Sequence, residues 1–308
     1  MTRWVRRILP LVLAILLCFA GTACNRQEFS QKNPLKIISF NVQNPNNGDS
    51  FLLRTEMMTE FIAKTQPDCI GMQEAPEKWC KAFNSECFGE QYSGVGGGQK
   101  TLGEMNPIYY RNDKFDLVDS NTFWLSATPD VSGSKFEESN EPRTATWARL
   151  KSKSGKREFV CINVHLDHMS SQARLKQGRV LLEFISTLGD VPILLTGDFN
   201  QPHLEKDGSY RLLYQYITGK ASFTAANGNS VSTSFSDARL EAPETVSPSA
   251  WATLRKHHQT NGNPATNPID FIFYTSQFTP QVYQNINPNR DGVFFISDHL
   301  AQYCEFTF

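Results

Sequence analysis

Apolar and polar residues alternate in short bursts along most of this chain, with two interruptions where the spacing lengthens to that of a helix. Leu35 to Val42 (LKIISFNV) is rich in β-formers and gives way to Asn, Pro and Gly, which predicts a strand closed by a turn. Phe51 to Lys64 places Leu52, Leu53, Met57, Phe61 and Ile62 near a 3.6-residue period, which predicts a helix that Pro67 ends. Cys69–Gln73 predicts a second strand, and further strands are expected at Pro107–Tyr110, Thr146–Leu150, Glu158–Leu166, Val191–Thr196, Asp270–Tyr274 and Ala301–Phe306. Ser171–Leu188 is the second predicted helix, with Leu175, Val180, Leu181, Phe184 and Ile185 as its apolar positions. Ser93–Gly98, Ser132–Asn140 and Asn227–Pro248 read as loops or insertions, and no repeat of solenoid period is visible. Many short strands with two helices predict an α+β layered sandwich.

The first residues follow a different logic. Arg3, Arg6 and Arg7 precede the apolar run Ile8–Ala20, and small residues lead into Cys24. That is the layout of a secretory signal, and the run is short for a membrane span, which needs about 20 residues. Ala23-Cys24 resembles a bacterial lipoprotein processing site, although Gly21 stands where Leu is usual, so Cys24 is the expected lipidation site. Cleavage without a lipid, or an uncleaved anchor, are the alternatives. Residues 1–23 are therefore expected as signal peptide, 24–33 as a polar tether, and 34–308 as a single domain. Export to a bacterial cell envelope follows, with the membrane reached through the lipid.

Composition changes this picture little. The 308 residues carry 30 Lys+Arg against 31 Asp+Glu, so the chain does not grip nucleic acid by a global positive field. Hydrophobic residues make up 40%, enough to bury a core and too many for a disordered chain. Cys80 and Cys87 are near enough to close a small loop if oxidised, Cys161 and Cys304 read as buried small hydrophobes, and no Cys/His cluster has zinc spacing.

The chemistry lies where strands stop. Asn41 follows IISF, Glu74 follows IGMQ, Asp198 and Asn200 follow ILLTG, Asp270 precedes FIFY, and Asp298-His299 follows FFIS. NVHLDH adds Asn163, His165, Asp167 and His168. Polar groups at the mouth of a rigid sheet are costly unless solvated, paired or bound to a cation. Carboxylates with Asn amides suit a hard cation, Mg²⁺ or Mn²⁺, and not zinc.

Each fragment alone is a common turn or strand end; their order is what carries information. N, QE, a His-rich strand, GDFN, IDFIF and a C-terminal SDH resemble the endonuclease/exonuclease/phosphatase superfamily, the fold of pancreatic deoxyribonuclease, from Ser39 to His299. PRTATWARL and NVHLDHMSSQAR are similar to its bacterial secreted or lipoprotein branch, related to the deadenylase and nocturnin type. The resemblance implies a four-layer α/β/β/α sandwich with two mostly antiparallel sheets. It implies that Glu74 and Asn41 hold or border the cation with Asp298 beside it. Asp198 would orient or deprotonate water, Asn200 and His165 would contact the phosphoryl group, and His299, oriented by Asp270, would reach the scissile phosphate. Arg143 reads as a phosphate clamp or a structural arginine, and Asn163 as a further phosphate contact.

Attack of water on a phosphoester needs charge neutralisation and an oriented nucleophile, which this set supplies. The expectation is a Mg²⁺-dependent phosphoester hydrolase, nuclease or phosphodiesterase/phosphatase in type, acting as a monomer on a nucleic acid, lipid-linked or small phosphate. The alternative is a catalytically silent envelope protein that binds phosphorylated ligands. Asp167 and His168 either face the site or start the Ser171 helix. His203 is a rim or loop residue, His257 and His258 lie in a polar loop, and Trp124 and Trp147 are expected in the core.

Overall fold

The computed structural model describes residues 29–45, 50–96, 105–246, 268–292 and 294–308. The signal segment, Cys24, His257 and His258 lie outside the described residues. In chain order the first elements are β1 (Leu35–Asn41), α1 (Phe51–Thr65), β2 (Cys69–Gln73) and α2 (Glu77–Ala82), then β3 (Tyr92–Val95), β4 (Ile108–Arg111), β5 (Phe115–Trp124) and β6 (Thr144–Ser152). The middle of the chain supplies β7 (Glu158–His165), α3 (Ser171–Thr187), β8 (Ile193–Asp198), α4 (Leu212–Ile217) and the hairpin of β9 (Phe223–Thr224) with β10 (Ser230–Val231). The remainder forms β11 (Ser236–Asp237), α5 (Ala238–Glu241), β12 (Glu244–Val246), β13 (Asp270–Tyr274), β14 (Thr279–Ile286), β15 (Asn289–Arg290), β16 (Phe294–Phe295) and β17 (Ala301–Thr307).

Two large sheets result, in the orders β12-β14-β17-β1-β2-β4-β3 and β11-β13-β8-β7-β6-β5. Both are mixed and mostly antiparallel; β1 runs parallel to β2, and β7 parallel to β8. One core lies between the sheets, where Ile37, Cys69, Phe159, Cys161, Leu194, Ile272 and Phe306 meet. A second lies between the first sheet and α1 and α2, around Phe40, Met58, Phe61 and Trp79. The third joins the second sheet to α3 and α4 through Ile162, Leu181, Leu195, Leu213 and Phe273. Helix, sheet, sheet, helix is the layering the sequence implied.

Local chemistry explains the two long helices. The Ser50 side chain caps α1 by accepting from Leu53 N, and the Ser170 side chain caps α3 by accepting from Ala173 N. The α1 stripe is shifted from the sequence reading: Leu52 is 67% exposed, while Arg54 joins Met57, Met58, Phe61 and Ile62 on the buried face. Three sequence expectations change. The Ser93–Gly98 loop begins inside β3, the Asn227–Pro248 stretch contains β10, β11, α5 and β12, and Phe29 of the expected tether is buried. Its ring stacks on Phe115 and Phe308. Cys80 and Cys87 are separate buried thiols directed at Ala75 O and Thr55 O. No helix among the described residues is long and apolar enough to cross a membrane.

Candidate active site

The period-2 alternation of the strands that enter the space between the sheets builds the site. On β1, Leu35 and Ile37 belong to that core, and Ser39 and Asn41 continue the same face. On β7 the series is Phe159, Cys161, Asn163, His165, and on β8 it is Leu194, Thr196, Asp198. β13 runs antiparallel to β8 and starts at the polar end, so Asp270 pairs with Asp198. At one end of the sandwich these inward faces therefore turn from apolar to polar, and on β7, β8 and β13 to ionisable.

A hydrogen-bonded polar layer separates the core from the mouth. Asn163 Nδ2 donates to Met72 O (2.8 Å) and Pro107 O (3.2 Å), and its Oδ1 accepts from Gln73 Nε2 (2.6 Å) and Thr196 Oγ1 (3.2 Å). All four hydrogen-bonding positions of that amide are satisfied within the protein, and the residue is 0% exposed. The expectation that Asn163 touches the substrate phosphate is corrected: it ties the two sheets together.

The other expected residues converge. Asn41 Nδ2 donates to Glu74 Oε1 (2.9 Å) and Asp198 Oδ2 (3.0 Å). Asp198 lies across from His165 on one side and from Asp270 on the other. His299 Nδ1 donates to Asp270 Oδ2 (3.0 Å), leaving Nε2 3.8 Å from Asp198 Oδ2. His165 Nε2 lies 3.7 Å from the same oxygen. Asn200 follows at the rim, its Nδ2 donating to Leu166 O and its backbone N–H to Asp198 Oδ1. Asp298 is half-buried, next to Ser297 Oγ and close enough to His299 to favour its charge.

Burial and the neighbouring Asp270 push the Asp198 carboxyl up to about 7, against the opposing pull of His299. Burial alone would lower His299, but Asp270, with Asp198 and Asp298, holds its imidazole up to about 10. His165 is driven well below its usual value by burial, then by Arg143, His299 and His168. The mouth thus holds a charged imidazole, a neutral imidazole and a carboxyl near neutrality, a combination suited to proton transfer at ordinary pH.

The donor set fits a hard divalent cation. Glu74 and Asp198 share one amide of Asn41, and Asp198, Asp270 and His299 offer ligand atoms within 4.8 Å of one another. In the structure Asn41 turns its N–H, not its oxygen, toward the carboxylates, while its Oδ1 accepts from Gln43 N (2.9 Å). Ligation through that oxygen would require the amide to rotate.

Three non-glycine residues at the mouth take left-handed backbone, Gln43 (φ 53), Glu74 (φ 53) and Asn200 (φ 50), a conformation held by surrounding contacts. Arg54, missed in the sequence, holds the first of these, at Gln43. Its Nη2 donates to Val42 O (2.5 Å) and Gln43 O (2.6 Å), and its Nε donates to Ile296 O (2.7 Å). One buried guanidinium therefore joins the turn after Asn41 to the segment before Asp298 and His299. Its signal was present: an arginine opens the i, i+3, i+4, i+7, i+8 stripe of α1. Asp167 is a loop anchor, its carboxylate accepting from Asn140, Met169 and Ser170 N–H groups. Arg143 is buried, with its guanidinium against His165 and His168. His203 packs among Tyr214 and Phe271, half-buried, and Trp124 and Trp147 lie in or against the core, as expected.

A two-sheet sandwich with carboxylates, an Asp–His pair and a second histidine gathered at one end defines a phosphoesterase-like architecture. The chain belongs to the endonuclease/exonuclease/phosphatase family, whose sequence pattern matches residues 38–299. Members of that family are hydrolases acting on phosphoester bonds. The chain is 25% identical over 291 residues to Nocturnin of Drosophila melanogaster, covering 82% of this chain and 41% of that one. It therefore spans about two fifths of that relative's length. Its structure is similar to the mannosyl-6-phosphatase Bt3783 of Bacteroides thetaiotaomicron (TM-score 0.74, 26% identity, 89% of this chain and 100% of that one). D. rerio TDP2 complexed with a single-strand DNA product shares the fold (TM-score 0.66, 19% identity, 89% of this chain and 99% of that one).

Proposed function

We infer that this chain hydrolyses phosphoester bonds by attack of water, dependent on Mg²⁺ or Mn²⁺. The observation that carries the reading is Asp198, faced by His165 and by the Asp270–His299 pair and linked through Asn41 to Glu74. Asp198, with its carboxyl raised toward 7, orients the water and takes its proton. His299, kept charged by Asp270, donates through Nε2 to a phosphoryl oxygen, and His165 donates to another as a neutral imidazole. Asn200 at the rim completes the phosphoryl contacts. Glu74, Asn41 and Asp298 would hold the cation, which when bound neutralises charge on the non-bridging and leaving oxygens.

For the substrate, we favour a small phosphate, and among these a sugar phosphate, on the likeness to a mannosyl-6-phosphatase over 89% of the chain. The N-terminal sequence supports export to a bacterial envelope with Cys24 acylated, where phosphorylated sugars from outside the cell are within reach. The test is a release assay on purified protein with Mg²⁺, Mn²⁺ or chelator against sugar phosphates, DNA, RNA and sphingomyelin. Metal-dependent release from mannose 6-phosphate, lost in Glu74→Gln, is the expected result. No turnover of any substrate under any metal would defeat the reading and favour a silent phosphate-binding protein.

A further inference from the structure

We propose that Arg143 fixes His165 and His168 as a pair of N–H donors on one wall of the site, so that His168 binds the phosphoryl group alongside His165. The phosphate half of this proposal rests on the hydrolase reading; the arrangement of protons does not.

Arg143 is 6% exposed, with Nη1 2.9 Å from His165 Nδ1 and Nη2 3.1 Å from His168 Nδ1. A guanidinium offers only N–H donors and does not lose its proton in a protein. Each Nδ1 must therefore accept with its lone pair, and each ring proton sits on Nε2. A charged imidazole would set N–H against N–H, so the same contact disfavours the charged form of the buried His165 ring. Burial and the neighbouring charges on His165 act in the same direction.

The backbone makes the arrangement rigid. Arg143 stands immediately before β6, which pairs with β7, and β7 ends at His165. Asp167 accepts from Asn140 N (2.7 Å), Met169 N (2.9 Å) and Ser170 N (2.8 Å), joining the segment before Arg143 to the turn that carries His168. The His165 Nε2 faces Asp198, whereas His168 is exposed beside it. Two Nε2–H donors with a guanidinium behind them fit an oxyanion with at least two non-bridging oxygens. Arg143 draws that anion in without touching it, so it is a positioning residue and not a clamp.

Long-range ¹H–¹⁵N spectra of the intact labelled chain test the proton arrangement without any turnover. Wild type is expected to show bare Nδ1 and protonated Nε2 on both rings. Arg143→Met should release both rings to mixed tautomers, and Arg143→Lys, which lacks the two-nitrogen fork that faces the two rings, should release one. Nδ1–H on either ring in wild type overturns the proposal whether or not the variants fold, and so does an unchanged pattern in a folded Arg143→Met chain. Titration with inorganic phosphate should shift both Nε2–H signals, with about tenfold weaker binding in His168→Ala, the loss of roughly one hydrogen bond to a charged group, and partial recovery in His168→Gln. Phosphate that shifts His165 but leaves His168 unmoved removes His168 from the site. A chain with the expected tautomers but no hydrolysis of any substrate would defeat the hydrolase reading and leave the Arg143 arrangement standing.

Discussion

Asp270 lies directly across from Asp198 in the antiparallel pairing of β13 with β8, and both carboxylates are buried. Two acids in adjacent register are tolerated because His299 reaches both, bonded to one and 3.8 Å from the other. The arrangement favours function over stability, which gives the first expectation. Asp198→Asn should lower hydrolysis by about 10³-fold or more while raising the melting temperature of the metal-free protein by a few degrees, since one of two facing charges disappears. Rate assays beside calorimetry in chelator decide it; a destabilised variant contradicts the electrostatic account.

Asp270→Asn acts through His299. The imidazole loses the partner that holds it up to about 10, and hydrolysis should fall by about 10²- to 10⁴-fold. The sign of the stability effect follows from the raised value. Stabilisation by the charged pair is fully present below about 6.5, the free imidazole value, and is lost as pH rises through about 10. Urea midpoints of variant and wild type should therefore differ most at pH 6 and converge near pH 10.5. An equal gap at both pH values would refute the linkage.

Arg54→Met leaves the carbonyls of Val42, Gln43 and Ile296 without their shared donor. A cost of about 3 kcal/mol or more is expected in urea unfolding. Arg54→Lys should recover much of the stability but not the rate, because one amine cannot hold both loops in register. Equal recovery of the two would mean that Arg54 only supports the fold.

Gly71→Ala probes the closeness of the sheets. A Cβ there would lie 2.3 Å from Thr196 Oγ1 and 2.7 Å from the Asn163 amide, inside the polar layer below the mouth. Overpacking should cost about 1–3 kcal/mol, and Thr196→Ala in the same chain should return part of it. Additive losses in the double variant would show that the two positions do not meet.

Most of this site was readable because its residues stand at strand ends, where an apolar run stops at a single polar letter. Asn41, Glu74, Asp198, Asp270 and His299 were found that way, and the sheets bring them together. Asn163 misled for the same reason: it shares the inward face of β7 with His165 but sits one inward position deeper, where the opposing sheet satisfies it. β5 went unseen because this edge strand (FDLVDSNTFW) exposes most of its middle and shows no alternation. β14 (TPQVYQNI) carries half-buried Gln281 and Gln284 and a buried Asn285, so its polar letters imitate a loop. The Arg143 contacts could not be read at all, since they depend on β6 meeting β7 in register.

Phe29 pairs its backbone with Phe308, at the end of the sheet where β1 begins and β17 finishes. Asn41 closes β1 and His299 stands two residues before β17, about 20 Å from where β1 begins by strand rise. Whatever holds the preceding residues therefore holds the domain by its foot. With a lipid on Cys24, five residues before Phe29, the mouth would point outward from the bilayer. A hydrolase anchored in that way would meet what diffuses past the cell sooner than the membrane that carries it.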